Sequence, residues 1–268
     1  MDPEGRQYRK YPARIFSLSF SFAFLTIQSW AGSVPTTAQH GIVSAQNLLA
    51  AQVGSRILQE GGNAVDAAVA TAFTMAVTHP AAGNIGGGGF LLLRPAKGEP
   101  VAYDFREVAP QKANAEMWLT EGVYDKEKHH FSHLSVGVPG TVHGLYLAWK
   151  EQGTLPWRSL LDPAIDLARD GFPVTAGLAA SLEKVLPRMK KYPASIRQFT
   201  TGGVPYGEGD TLKQPDLAKT LTLIAEQGPP GFYEGSVAEL IVREMEANGG
   251  LITREDLRTY EPKKRKPV

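Results

Sequence analysis

Asn63-Ala64-Val65-Asp66-Ala67-Ala68-Val69-Ala70-Thr71-Ala72-Phe73-Thr74-Met75-Ala76-Val77-Thr78-His79-Pro80 carries the strongest local signal in the chain. Asn63 is a good N-cap, and Asp66 puts a carboxylate in the first turn, where it complements the helix dipole. Residues 64–77 are apolar nearly all round, and His79-Pro80 closes the segment because the residue before a proline is driven out of helical conformation. A helix with no polar face belongs between layers of a fold. Its many alanines and its aspartate argue against a membrane span.

Working outward, residues 41–46 predict a short strand, and residues 48–60 a helix with Leu49, Val53 and Ile57 on one face, stopped by Gly61-Gly62. On the other side, residues 90–94 and 100–105 predict two strands joined by a hairpin-type turn at Lys97-Gly98-Glu99. From Thr141 the pattern becomes helical. Residues 141–152 end at Gly153, residues 163–170 start with a first-turn proline and end at Gly171, and residues 215–227 end at Gly228-Pro229-Pro230. Ser236 with Glu239 predicts a capping box opening a helix that stops at Asn248, and Thr253 with Asp256 opens another short one. The fold class is α+β with strands concentrated early, and no repeat of solenoid length is visible.

Composition sets further bounds. The chain has 268 residues, 43% hydrophobic and 21% charged, with 28 Gly and 19 Pro, values that exclude collagen, a long coiled coil and wholesale disorder. A formal charge of +1 gives no global pull toward nucleic acid or anionic lipid. With no cysteine, disulfides, thiolate zinc sites, iron–sulfur ligation and a cysteine nucleophile are all excluded.

Residues 1–31 read as an export signal. Arg6, Arg9, Lys10 and Arg14 precede an apolar run over 15–27, and Ser29-Trp30-Ala31 supplies small residues for a cleavage site. The alternative is an uncleaved membrane anchor, although that run is short against the roughly 20 residues that span a bilayer. Either way the expected location is periplasmic or extracellular. Residues 32–40 read as a linker. The basic run Lys263-Lys264-Arg265-Lys266-Pro267-Val268 is expected to be a solvated connector without a strand partner, where the chain is cut short; an export signal argues against nuclear import.

Four features invite chemistry. The glycines Gly86 to Gly89 fail as a phosphate loop because they follow a helix, lead into a strand and lack a lysine, so close backbone packing or a positive-φ path is the better reading. His129, His130 and His133 have metal-ligand spacing only if helical, and a polar loop is the stronger expectation. The other histidines, His40, His79 and His143, read as structural. Asp104-Phe105-Arg106-Glu107 ends a strand and sets a guanidinium between two carboxylates. Arginine's planar fork suits bidentate carboxylate recognition, and a structural ion pair at a strand end fits the spacing equally well.

Read together, Gly61-Gly62-Asn63-Ala64-Val65-Asp66-Ala67-Ala68, Thr78-His79-Pro80, Gly83-Asn84-Ile85-Gly86-Gly87-Gly88-Gly89-Phe90 and Asp104-Phe105-Arg106-Glu107 resemble the large-subunit portion of the γ-glutamyltranspeptidases. Pro139-Gly140-Thr141-Val142, Ala168-Arg169-Asp170-Gly171-Phe172 and Gly231-Phe232-Tyr233 continue the resemblance in the same order. It implies part of a four-layer α/β/β/α N-terminal nucleophile hydrolase sandwich, made as a precursor that cleaves itself into two subunits, with residues 41–268 as an incomplete large-subunit region.

The activity implied is γ-glutamyl transfer from glutathione or a related amide to water, an amino acid or a peptide, through a γ-glutamyl-enzyme on the first threonine of a small subunit from the same precursor. No cofactor, metal or nucleic acid enters that chemistry. No catalytic residue is expected before Val268, so the chain by itself is expected to be inactive. Residue by residue, the resemblance makes Arg106 the grip on the donor's α-carboxylate, with Asp104 and Glu107 as supporting residues that position it. Competing expectations are a cephalosporin acylase or capsule-processing transpeptidase of the same superfamily, and a truncated, catalytically dead binding or structural protein.

Overall fold

The computed structural model describes residues 35–267, and the expected export signal therefore lies outside the described residues. Helix α1 (Leu48–Gln59) is capped by the Asn47 side chain, and helix α2 (Ala64–Thr78) by Asn63 in a full capping box with Asp66. Two antiparallel strands follow, β1 (Phe90–Leu93) and β2 (Val101–Asp104). Gly98 lies in the turn between them at φ 98°, a conformation that costs glycine nothing. The helical part comprises α3 (Lys126–Phe131), α4 (Thr141–Gln152), α5 (Trp157–Asp170), α6 (Ala176–Met189), α7 (Pro193–Phe199), α8 (Pro215–Gln227), α9 (Pro230–Tyr233), α10 (Gly235–Ala247) and α11 (Arg254–Arg258). Strand β3 (Lys263–Arg265) then pairs antiparallel with β2, giving the sheet order β1-β2-β3.

Helix α2 is buried on nearly every side, as its composition dictates, between α1 and α5 with α4 alongside. Phe73 meets the edge of Trp157 at 5.6 Å between ring centroids, and Tyr146 and Trp149 complete an aromatic cluster around that tryptophan. The indole N–H groups are satisfied locally: Trp157 Nε1 donates to the Ile224 carbonyl at 2.9 Å and Trp149 Nε1 to that of Leu155 at 2.8 Å. Buried Gln214 ties α8 back to the end of α2 through a 2.8 Å bond from Nε2 to the Val77 carbonyl.

Asp66 does more than cap its own helix. Its carboxylate has no solvent exposure and accepts from the Asn63 amide at 2.9 Å, from the Thr154 amide at 3.1 Å and from the Thr154 hydroxyl at 2.6 Å. The start of α2 is thereby fastened to the link between α4 and α5. A buried carboxylate is tolerated only with such a full set of donors.

The sheet has one covered face. Leu91, Leu93, Val101 and Tyr103 share the face packed on the helices, while Phe90 and Leu92 stand on the other, 61% and 68% exposed. Tyr103, fully buried, donates its hydroxyl to Glu151 Oε2 at 2.9 Å, and Lys264 of β3 reaches the other Glu151 oxygen, also at 2.9 Å. Burial pushes the Tyr103 phenol up to about 12, and the Lys264 ammonium holds the Glu151 carboxyl below its ordinary value.

Four expectations are corrected. Residues 41–46 form no strand: among the described residues no strand pairs with them, and they run as coil past α1. Helix α5 begins at Trp157 and carries Pro163 inside it; burial of Leu160, Leu161, Ala164, Ile165 and Ala168 outweighs the lost backbone bond. Ser236 and Glu239 make no capping box, since α10 already begins at Gly235 and its N-cap, Glu234, makes no side-chain hydrogen bond there. The basic run is no free connector: residues 263–265 are a strand of the main sheet, in which Lys264 and Arg265 both find carboxylate partners. The Thr253 and Asp256 capping box, by contrast, forms as the spacing predicts.

Two outcomes test this account of the packing. Asp66→Ala leaves several part-buried donors without a partner and should cost about 1–3 kcal/mol, read as a lower urea midpoint at unchanged slope, with Asp66→Asn recovering part. Gly144 of α4 sits against Phe105, where an added Cβ would lie 2.1 Å from the ring's Cγ. Gly144→Ala should therefore destabilise by about 1–3 kcal/mol through overpacking, measured as a lower thermal midpoint, whereas exposed Gly177→Ala should not.

Candidate functional site

The residues from Asp104 to Glu107 leave the end of β2 and turn across the N-terminal end of α4. Three neighbours fix their course. The glycine loop runs antiparallel beside them, with the Phe105 amide donating to the Gly89 carbonyl at 3.0 Å and the Gly89 amide to the Phe105 carbonyl at 3.3 Å. At Gly88 an added Cβ would stand 2.4 Å from the Phe105 carbonyl oxygen, so the two backbones can lie this close only with glycine. Of the two roles expected for Gly86 to Gly89, close approach is the one realised; none of the four has positive φ.

The same loop terminates α4. Gly140 and Thr141 donate their amides to the Gly87 carbonyl at 2.7 and 3.0 Å, satisfying groups that a helix start leaves unpaired. Asn84 Oδ1 accepts from the Gly87 amide at 2.9 Å and from the Thr141 hydroxyl at 2.7 Å. Phe105 turns inward, buried against Gly144, while Arg106 and Glu107 turn outward.

The two carboxylates flanking Arg106 have different tasks. Glu107 Oε2 lies 3.2 Å from Arg106 Nε, and the guanidinium is 64% exposed. Among the described residues, neither of its terminal NH2 groups has a hydrogen-bond partner. Asp104 does not touch the guanidinium. Its Oδ1 accepts the Arg106 backbone amide at 3.1 Å, and its Oδ2 accepts from Arg265 Nε of β3. The Arg265 bond and the Arg106 amide hold the Asp104 carboxyl below the usual aspartate value. An arginine with one nitrogen held by a carboxylate and its fork open to solvent can receive a second carboxylate in two-pronged fashion.

Tyr260, which the sequence patterns do not single out, also belongs here. It lies just past α11, buried, and donates its hydroxyl to the Arg106 carbonyl at 3.0 Å. Its ring is parallel to that of Tyr233 at 5.9 Å, and Tyr233 in turn donates to the Pro139 carbonyl at 2.9 Å. Burial and the nearby Asp104 and Glu107 carboxylates push the Tyr260 phenol up to about 12, which keeps it a donor at any physiological pH. A tyrosine after a short capped helix gives no periodic or motif signal, and only the tertiary contact reveals its task.

The histidines do not converge. His129 and His130 lie on α3, their rings stacked at 4.5 Å, with the Tyr124 hydroxyl 2.7 Å from His129 Nδ1. His133 faces the other way, toward Glu244 at 3.2 Å. His143 is partly buried between Tyr233 and Tyr260, and that burial lowers its pKa despite the Tyr260 backbone. An open cavity of about 600 Å³ lies beside the glycine loop, walled by Met75, His79, Asn84, Phe90, Phe105 and Leu145 among others. Arg106 is outside that lining.

Comparison with known proteins agrees with this arrangement. The gamma-glutamyltranspeptidase family model matches residues 50–268. A glutathione hydrolase proenzyme of Escherichia coli (strain K12) is 49% identical over 239 residues, covering 87% of this chain and 41% of that protein. The crystal structure of Helicobacter pylori gamma-glutamyltranspeptidase superposes with a TM-score of 0.86 at 46% identity, over 88% of this chain and 68% of that one. A cephalosporin acylase from Bacillus halodurans superposes at 0.75 and 31% identity, over 88% of this chain and 46% of that one. The chain spans less than half the length of the curated glutathione hydrolases it matches. With the α+β architecture of an incomplete sandwich and a match over most of its length, the chain belongs to the γ-glutamyltranspeptidase family.

Proposed function

We propose that the whole protein moves γ-glutamyl groups from glutathione and related γ-glutamyl amides to water or amino acids, and that Arg106 holds the donor's α-carboxylate. The observation that carries this is the state of Arg106: a guanidinium at a strand end, tethered by Glu107 through Nε alone and with its fork open. Further support comes from the name of the relatives, glutathione hydrolase proenzyme. The acyl group would pass from the donor's amide nitrogen to the hydroxyl of a threonine on a small subunit cut from the same precursor, then to water or an amine. The amide nitrogen leaves as the free amine, and the threonine is regenerated. On this reading the small subunit carries that bond exchange, and Arg106 holds the donor. The basic and apolar character of residues 1–31 supports an exported enzyme working in the periplasm or outside the cell.

A second reading, acylase action on a cephalosporin side chain, is favoured by the 31% identity to the Bacillus halodurans protein. Both donors offer a carboxylate to Arg106, so a panel of γ-glutamyl and glutaryl amides decides between them: turnover confined to glutaryl compounds removes the first reading.

Arg106→Ala tests the arginine itself. If the bound donor and the small subunit enclose the guanidinium, which is 64% exposed in this chain, removing one partner of that charge pair costs about 2–5 kcal/mol, or roughly 30-fold to several thousand-fold in donor kcat/KM. Arg106→Lys should restore only part, because a point charge lacks the two-pronged geometry. Self-cleavage into subunits should continue in both variants, since it needs no bound donor. Near-normal donor kinetics in correctly processed Arg106→Ala enzyme would return Arg106 to a structural ion pair with Glu107.

A further inference from the structure

The segment that bears Arg106 is held from both of its ends by the last residues of the chain. At one end Arg265 of β3 takes one oxygen of Asp104, while the other oxygen takes the Arg106 amide. At the other end the Tyr260 hydroxyl takes the Arg106 carbonyl at 3.0 Å. Both polar groups of the Arg106 backbone are thus fixed by side chains, one directly and one through Asp104, and neither is used in a sheet ladder. The residue itself lies outside any helix or strand. Backbone pairs flank the residue, Phe105 with Gly89 and Val108 with Val138, but between them the Arg106 backbone itself is held by these two bonds, and its guanidinium by the Glu107 contact.

The geometry points to Tyr260 and Arg265 as positioning residues for the donor grip: they set the Arg106 backbone, and hence the placement of its fork, without touching donor. This inference rests on the reading of Arg106 as the donor-binding arginine and extends it to two residues distant in sequence. The design is one of preorganisation. An arginine on a loose turn would have to be ordered as the donor binds, and that ordering would be subtracted from affinity. Tyr260 is suited to its part because it is itself buried, stacked on Tyr233 and uncharged, so its hydroxyl has little freedom to turn elsewhere. Arg265 is suited to its part because it pairs across β3 and β2 with Ala102, on the same face as Asp104 two residues on, so its long side chain reaches that carboxylate diagonally.

The test uses the whole processed enzyme. Tyr260→Phe removes the hydroxyl and keeps the ring stacked; Arg265→Met removes the charge and keeps the stem. Each should raise donor KM about 3- to 10-fold, the scale of one hydrogen bond, with kcat within about twofold and the thermal midpoint lowered by no more than about 4 °C. Amide hydrogen exchange at residues 106–108 should quicken in both. In an Arg106→Ala background neither substitution should weaken donor binding further, because there is no fork left to position. A normal Arg106→Ala defect combined with unchanged donor KM in Tyr260→Phe and Arg265→Met would overturn this inference alone. So would effects that simply add to that of Arg106→Ala. Unchanged donor kinetics in Arg106→Ala would instead overturn the reading of Arg106, and the positioning roles with it.

Discussion

Phe105 is the point on which the architecture turns. Its ring is sunk against Gly144 of α4, its amide and carbonyl are shared with Gly89, and its carbonyl lies beneath Gly88. Three backbones meet there at distances that side chains would forbid: the glycine loop after α2, the end of β2 and the first turns of α4. Everything polar at the site follows from that meeting. With residue 105 forced inward and the chain extended, its neighbours Asp104 and Arg106 must lie on the opposite side. The helix layer and the sheet are joined at this seam, and the seam is also where the candidate chemistry is displayed.

Much of this was readable from residue patterns, and the reasons are local ones. The Asn63 and Thr253 caps form because a short polar side chain competes for the nearest free amides whatever surrounds it. The β1 and β2 hairpin follows from two apolar runs about a glycine turn, α8 ends at Gly228 with φ 67°, and α4 ends at Gly153, where a side chain would strike Trp149. What local patterns misjudge is anything decided by burial or by a distant partner. Pro163 resembles a helix start until α5 is seen packed against α8 and α2, where buried leucines and alanines carry the helix through it. Residues 41–46 have the composition of a strand but no strand partner among the described residues.

The site divides in the same way. Arg106 stands out in the sequence because it lies in a short motif with Glu107 beside it. Asp104, expected to support Arg106, does so at the backbone amide rather than at the guanidinium, and shares its carboxylate with Arg265. Tyr260 and Arg265 could not be found from spacing, because more than 150 residues separate them from the segment they hold and no periodicity links the two. A run of lysines and arginine reads as solvated by composition, yet in place it supplies a strand and two of the ion pairs that fasten the sheet to α4 and to Asp104.

That strand also makes the two borders of the sheet chemically unlike. On one side β3 offers Lys263, Lys264 and Arg265, all exposed and flanked by Pro262 and Pro267, a border whose charge and missing amides discourage another strand from joining. On the other side β1 offers Phe90-Leu91-Leu92-Leu93, uncharged and free of proline. Among the described residues the two borders of the sheet thus differ in kind: an apolar one continues the glycine loop, and a basic one carries the arginine that holds Asp104.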